Sequence, residues 1–423
     1  MMSGKQLLPL LVGVALGVGG WLYGNRGGAV PGVSIEDGDL RARIAMLERE
    51  NASLRSLAQG GGEVTVPPEM VAQVEKDYGL SFLSSPVFHR VAAEELGYRI
   101  EAAIESRLGP QGADDRQEAW RRMGLLRDGD KLLKQLVAVK SVGAIGWFDQ
   151  VSGEAWVTDR FDPKNIPDQA AMLRLLVRIL LNQNFPPPPA YPGDDAARAR
   201  EALHAGAASG AESRLYAASA RGIGFLPMND DGPAARLLLS LPPFVQGITQ
   251  FPAIEGKALA DTAYVKGVED FSERMRNAPQ STFGVSFPSE KVGDGEIVFP
   301  EISDEIYLEE SAGYLGLRLW IAEGGDVGLA GEVAREWLAD RYVLFADGEM
   351  SSGLAWDVVF GDGEAADRFE NSCHDRLGAL AEDGRLLDVV RVGEKRVRFL
   401  NVATERVFEK FKIQNSKFKG DKK

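Results

Sequence analysis

The segment RLLVRILLNQNF, residues 174–185, constrains this chain more than any other. Most of its first nine positions carry Leu, Val or Ile, and a helix apolar on nearly every side is buried on nearly every side. Arg174, Arg178 and Asn182 stand at i, i+4 and i+8, on one line down that helix. The fold must therefore surround the helix and leave one narrow edge wet or ion-paired. The run PPPP at 186–189 ends it, because proline lacks the amide donor and clashes with the preceding turn.

Composition narrows what that edge can do. With 423 residues, 44% hydrophobic and 26% charged, the chain has material for one large core or two ordinary ones. A net charge of −14 argues against nucleic acid as a partner, since phosphate backbones reward clustered Lys and Arg. The single cysteine, Cys373, excludes an intrachain disulfide framework, and beside His374 it is too bare to suggest a nucleophile. His89, His204 and His374 form no pair at i, i+3 or i+4, so no histidine metal motif exists and no cofactor is expected.

The N-terminus carries an uncharged run from Leu7 to Tyr23, near the lower length limit for a membrane-spanning helix. It reads as an uncleaved signal anchor, and the acidic SIEDGD beyond Arg26 favours the bulk of the chain outside the cytoplasm. Leu40, Ile44, Leu47, Asn51 and Leu54 then follow the a/d spacing of a coiled coil, with Asn51 at an a position that favours a parallel homodimer. A solvated single helix is the other reading. The expected organisation is a transmembrane helix at 1–28, a short coiled-coil stalk and Gly-rich linker at 29–62, a globular domain at 63–412 and a basic tail at 413–423. The expected localisation is a single-pass membrane protein, its globular part extracytoplasmic.

From Pro68 onward the periodicity is mainly helical with a few strands, an α+β pattern. VGAIGWFDQVSGEAWVTD alternates and turns like a hairpin with Ser152-Gly153 at its tip. DDAARAREALHAGAASGAESRLYAAS is a helix rich in small residues, suited to close packing. REWLADRYVLF reads as a helix end running into a strand, and PPFVQGITQFPAIEG as a proline-stiffened connection.

Six short motifs occur in an order that resembles a family of prokaryotic gluzincin-like zinc metallopeptidase domains. They are Phe148-Asp149 with Ser152-Gly153; Gln183 with Phe185; and Ala202, Leu203, Gly206 and Ala208. They continue with Phe251-Pro252 and Gly256; Pro279, Ser281-Thr282 and Pro288; and Trp337 with Asp340-Arg341-Tyr342. The resemblance covers residues 70–400 and implies a zincin-like core. In that family one helix carries H-E-x-x-H, and a following helix supplies a glutamate as third ligand. Aligned through Gln183 and Phe185, this chain has Arg174 and Arg178 at the two histidines, Leu175 at the catalytic glutamate and Ala205 at the third ligand. Phe287 stands at a further family histidine.

Zinc hydrolysis needs neutral or anionic lone pairs on the metal and a base for the attacking water. Guanidinium has five donors, no lone pair to give and a permanent charge. The resemblance therefore implies a catalytically inactive relative with a binding, scaffold or regulatory role toward an unknown protein or peptide. Two alternatives remain. An active zinc enzyme with non-standard ligands would draw on His204 with Asp194, Asp195, Glu201 or Glu212; a purely structural stalk protein would have no cleft. For Arg174 and Arg178 themselves, three readings stand open: ion pairs to Glu201 or Glu212 on the facing helix, an anion-binding cleft, or plain solvent exposure.

Overall fold

The computed structural model describes residues 62–109, 111–223, 232–290, 293, 295–302, 305–348, 351–381 and 384–418. The chain begins with β1 (Glu63–Val64), α1 (Pro68–Tyr78), β2 (Phe88–Val91), α2 (Ala93–Leu108), α3 (Gly112–Arg122) and α4 (Leu132–Ser141). Next come β3 (Gly146–Phe148), β4 (Ala155–Thr158), α5 (Ile166–Asn184) and α6 (Asp194–Ile223). Shorter helices follow: α7 (Pro233–Ser240), α8 (Pro243–Phe251), a π-helical turn (Pro252–Gly256), α9 (Lys257–Lys266), α10 (Val268–Arg276) and α11 (Thr282–Ser286). The final stretch is β5 (Ile306–Glu310), α12 (Gly313–Ala322), α13 (Val327–Arg335), β6 (Trp337–Ala346), β7 (Ser352–Phe360), α14 (Gly363–Leu380), β8 (Leu386–Gly393), β9 (Arg396–Val402) and α15 (Glu405–Phe418). The architecture is α+β and mainly helical, with two small sheets.

The first sheet has the order β1-β2-β4-β3, with β2 and β4 parallel and the other pairs antiparallel. Its β3–β4 hairpin turns where the sequence indicates: Asp149 accepts the amides of Val151 and Ser152, and Gly153 takes the left-handed φ of 74°. Against this sheet lies α5. Leu176, Leu180 and Leu181 share one core with Phe88, Phe148 and Val157 of the strands and with Ala199, Ala202 and Leu203 of α6. The helix is apolar all round because sheet and neighbouring helices enclose it.

The membrane expectation is corrected by the helices themselves. Among the described residues no helix is long and apolar enough to cross a membrane, so the single-pass, extracytoplasmic assignment and the membrane terms attached to it are not upheld. The most apolar long helix, α5, carries Asp168, Arg174 and Arg178 and spends its apolar faces on protein. The run Leu7–Tyr23 and the heptad residues Leu40, Ile44, Leu47, Asn51 and Leu54 lie outside the described residues.

Close packing of α6 depends on glycine. A Cβ built on Gly206 would lie 2.2 Å from the carbonyl carbon of Gly256, and one on Gly256 would lie 2.2 Å from the oxygen of Ala202. Gly206→Ala should therefore destabilise by roughly 1–3 kcal/mol through overpacking, although the same change in an open helix stabilises by up to about 1 kcal/mol. Urea unfolding reads the sign directly, and a raised midpoint would refute the backbone contact. The segment PPFVQGITQFPAIEG is helix rather than connection. Pro243 occupies the first helical turn, where its missing amide proton is not needed, and Pro252 opens the π-helical turn.

The second sheet is antiparallel throughout, ordered β5-β6-β7-β9-β8. Its middle strand β7 is buried along almost its whole length, because α12 and α14 pack one face and α15 the other. The REWLADRYVLF stretch does end α13 and start β6. There Asp340 collects the side chains of Ser311, Trp337 and Trp356 and the amides of Ala312 and Gly313. Five donors on one carboxylate fix the start of α12 against the sheet.

Candidate functional site

The face between α5 and α6 is where the sequence-predicted residues meet. Asp194 and Asp195 stand in the first turn of α6, where the helix dipole favours negative charge. Asp194 is held by Arg116, whose Nε and Nη2 donate to it at 2.6 and 2.9 Å and whose Nη2 also reaches Glu310 at 2.9 Å. With its N-terminus so pinned, α6 runs along α5 and presents Glu201, Ala205, Ala208 and Glu212 at i, i+4, i+7 and i+11, one helical face.

Arg178 Nη2 donates to Glu201 Oε2 at 2.9 Å, and Arg174 Nη1 reaches Glu212 Oε2 at 3.4 Å. The ion-pair reading of the stripe is the arrangement found, and Ala205 sits between the two acids. The pairs are unequal. Burial raises the Glu201 carboxyl, but the charge and hydrogen bond of Arg178, with Lys140 and Arg107 behind it, hold it below its ordinary range. Burial also raises Glu212, and the more distant Arg174 offsets that only in part, so Glu212 stays above its ordinary range. Arg174 is 37% exposed against 11% for Arg178, and its pair is correspondingly weaker.

Leu175 is buried, with its Cδ1 2.8 Å from where a Cβ on Gly146 would stand, filling the space beneath β3. Asn182 donates to the carbonyl of Gln150 at 3.3 Å, which ties the end of α5 to the hairpin. Gln183 bonds the Leu83–Ser84 loop. Phe287 packs against Phe283 and Tyr314 at centroid distances of 4.9 and 5.5 Å.

No protein-family model, no curated protein and no solved structure matches this chain. The metallopeptidase-like label read from the sequence therefore draws no support from known proteins, and the site must be judged on its own chemistry.

That chemistry is cationic. Lys140, at the end of α4, is half-buried with its ammonium 5.2 Å from the ring of Trp147, and no group among the described residues hydrogen-bonds it. Burial pushes its pKa down; Glu201 opposes this, while Arg107 and Arg178 add to it. His204 is 1% exposed and its pKa is pushed down to about 3 by burial and by Arg178 and Arg200, so it is neutral at ordinary pH. One neutral imidazole is a ligand without companions. Asp194 is engaged by Arg116, Asp195 by Thr282 and Glu201 by Arg178, and among the described residues no group of three His, Cys, Asp or Glu is placed to hold a metal. Cys373 is fully buried and its thiol pushed up, which removes it as a nucleophile.

A cavity of about 770 Å³ opens elsewhere, beside Arg121, Glu323 and Arg376, and none of the α5–α6 residues lines it. Two of the guanidinium groups that line it are engaged, Arg376 by the carbonyls of Trp320 and Gly124 and Arg121 by Glu118. Nothing in the spacing of residues marks Lys140 or Arg107 for the α5–α6 face, because they reach it from α4 and α2, helices distant in sequence.

Proposed function

We propose that this chain is a non-catalytic binding protein, with a zincin-like core whose metal position has been given over to ion pairs. The observation that carries the reading is the pair of guanidinium groups, Arg174 and Arg178, locked to Glu201 and Glu212 on either side of Ala205. Four positions that would have to offer lone pairs or a base hold two permanent cations, a leucine and an alanine. Such a face repels a divalent cation and cannot generate hydroxide. It can still bind. Ala205 is only partly covered, and on its Glu201 side the charges of Arg178, Lys140 and Arg107 act on one carboxylate. A protein or peptide ligand is the occupant proposed.

The test is a fluorescent peptide library screened against the full chain, with recovered peptides checked by mass spectrometry. Bound peptides should be recovered intact, and Ala205→Tyr, which fills the space between the two acids, should lose at least about tenfold in affinity, or 1.4 kcal/mol. Peptides cleaved by the pure protein, or equal binding by the variant, would refute the reading.

A further inference from the structure

Building on that binding reading, we propose that Arg107, Lys140 and Arg178, gathered around Glu201 by the ends of α2 and α4 and the edge of α5, form a site for an oxyanion group of the ligand, a carboxylate or a phosphate monoester. The charges of three cations act on a single carboxylate, and that carboxylate is already bonded to Arg178. Lys140 has no such bond among the described residues. A half-buried ammonium that shares the Glu201 carboxylate with Arg178 is under-compensated, and an arriving anion removes the imbalance.

The unmatched buried groups around the cluster point the same way. The indole nitrogen of Trp147, the amide nitrogen of Gln150 and Nε of Arg200 are buried without an acceptor. His204, almost wholly buried beside Arg178 and Arg200, has an unpartnered Nε2. Each buried donor left unmatched is unfavourable by roughly 1–3 kcal/mol, and native proteins keep few of them. Here several occur along β3, the hairpin and the start of α6, against one unmatched acceptor beside Gln150, the Oδ1 of Asn182 on α5. A surplus of N–H donors and positive charge takes lone pairs and negative charge. The planar fork of Arg178 and the ammonium of Lys140 suit two oxygens of one carboxylate or phosphate. Tyr191, whose hydroxyl feels the charges of Arg200, Glu201, Arg107 and Arg178, borders the same space.

Acylation of Lys140 by an amine-reactive ester, read by mass spectrometry, tests the site without knowledge of the natural ligand. The full chain is labelled in inorganic phosphate, acetate or chloride at equal ionic strength, with Lys257, which is paired with Asp261, as the internal control. Lys140 labelling should slow about tenfold at ten times the dissociation constant of the bound ion, and Lys257 labelling should not change. Protection by acetate alone assigns a carboxylate ligand, and protection by phosphate alone a phosphate monoester. Equal labelling in all three salts overturns the proposal.

Two variants carry opposite signs. Lys140→Met keeps the aliphatic stem over Trp147 and should weaken binding of the protecting ion about tenfold by calorimetry, whereas Glu201→Gln frees Arg178 and should strengthen it. A null or reversed pair of results also overturns the site. Lys140 protection without any peptide binding would remove the functional reading and keep this site; peptide binding without protection would do the reverse.

Discussion

Replacing Asp357 with Ala lowers the stability of the chain by about 3–5 kcal/mol, the range expected when one partner of a buried ion pair is removed. Asp357 on β7 and Arg398 on β9 face each other in register and both side chains are fully buried. Arg398 donates Nε to Oδ1 at 2.6 Å and Nη2 to Oδ2 at 2.9 Å, and Arg396 adds its Nε at 2.8 Å. The guanidinium of Arg398 lies 5.2 Å from the ring of Phe411 and 5.4 Å from that of Phe299, so no water stands ready to replace the carboxylate. Arginine cannot shed its proton to escape. The double variant Asp357→Leu with Arg398→Met removes both charges and should recover most of the loss, since a buried pair contributes little net stability over apolar residues of similar volume. Urea unfolding of the three proteins decides the matter: a loss below about 1 kcal/mol for Asp357→Ala would mean that solvent reaches the pair.

The second large effect depends on pH and comes from Asp195. It is 5% exposed and accepts from Thr282, Oγ1 at 2.6 Å and the amide at 3.1 Å, while Thr282 Oγ1 accepts the amide of Leu315. One carboxyl thus joins α6 to α11 and α12. Burial raises its pKa to about 7, against the opposing pull of Thr282 and Arg198 and with help from Asp340. An acid whose folded pKa exceeds its unfolded value of about 3.9 binds its proton more tightly in the native state, so its contribution falls as pH rises from about 4 to about 7. The total is on the order of 4 kcal/mol at most.

His204 works in the opposite direction. Its folded pKa of about 3 lies below the unfolded value, so stability is lost as pH falls through that of the unfolded imidazole. Over the same window the two slopes partly cancel in the whole-protein curve. The difference between the wild type and Asp195→Asn isolates the carboxyl, because the variant keeps His204. Urea midpoints from pH 4 to pH 8 should show the wild type losing ground to the variant up to about pH 7 and then running parallel. A wild type that gains on the variant over that range would mean an ionised Asp195.

What the sequence disclosed was local or carried by one periodicity. The hairpin tip at Ser152-Gly153, the stop of α5 at the proline run and the close-packing face of α6 each follow from residues within a few positions of one another. The Arg174 and Arg178 ion pairs were also legible, because a polar line on a buried helix must find acids and the next helix offered Glu201 and Glu212. Hidden were the arrangements made by register between distant strands and helices. Asp357 meets Arg398 only because β7 pairs with β9, and Asp340 gathers donors from α12, β6 and β7. Lys140 and Arg107 look like solvated helix ends until α4 and α2 bring them toward Glu201. Prolines misled where the backbone could absorb them, in the first turn of α8 and in the π-helical turn after it.

The metal content of the purified full chain, loaded with excess zinc and then gel-filtered in chelator-free buffer, bears most directly on the proposal that ion pairs stand in place of metal ligands between α5 and α6. Guanidinium groups at residues 174 and 178 predict no retained equivalent of zinc and no change in thermal stability on adding a chelator. One zinc per chain, lost together with stability when Arg174, Arg178 and His204 are replaced by Ala, would contradict it.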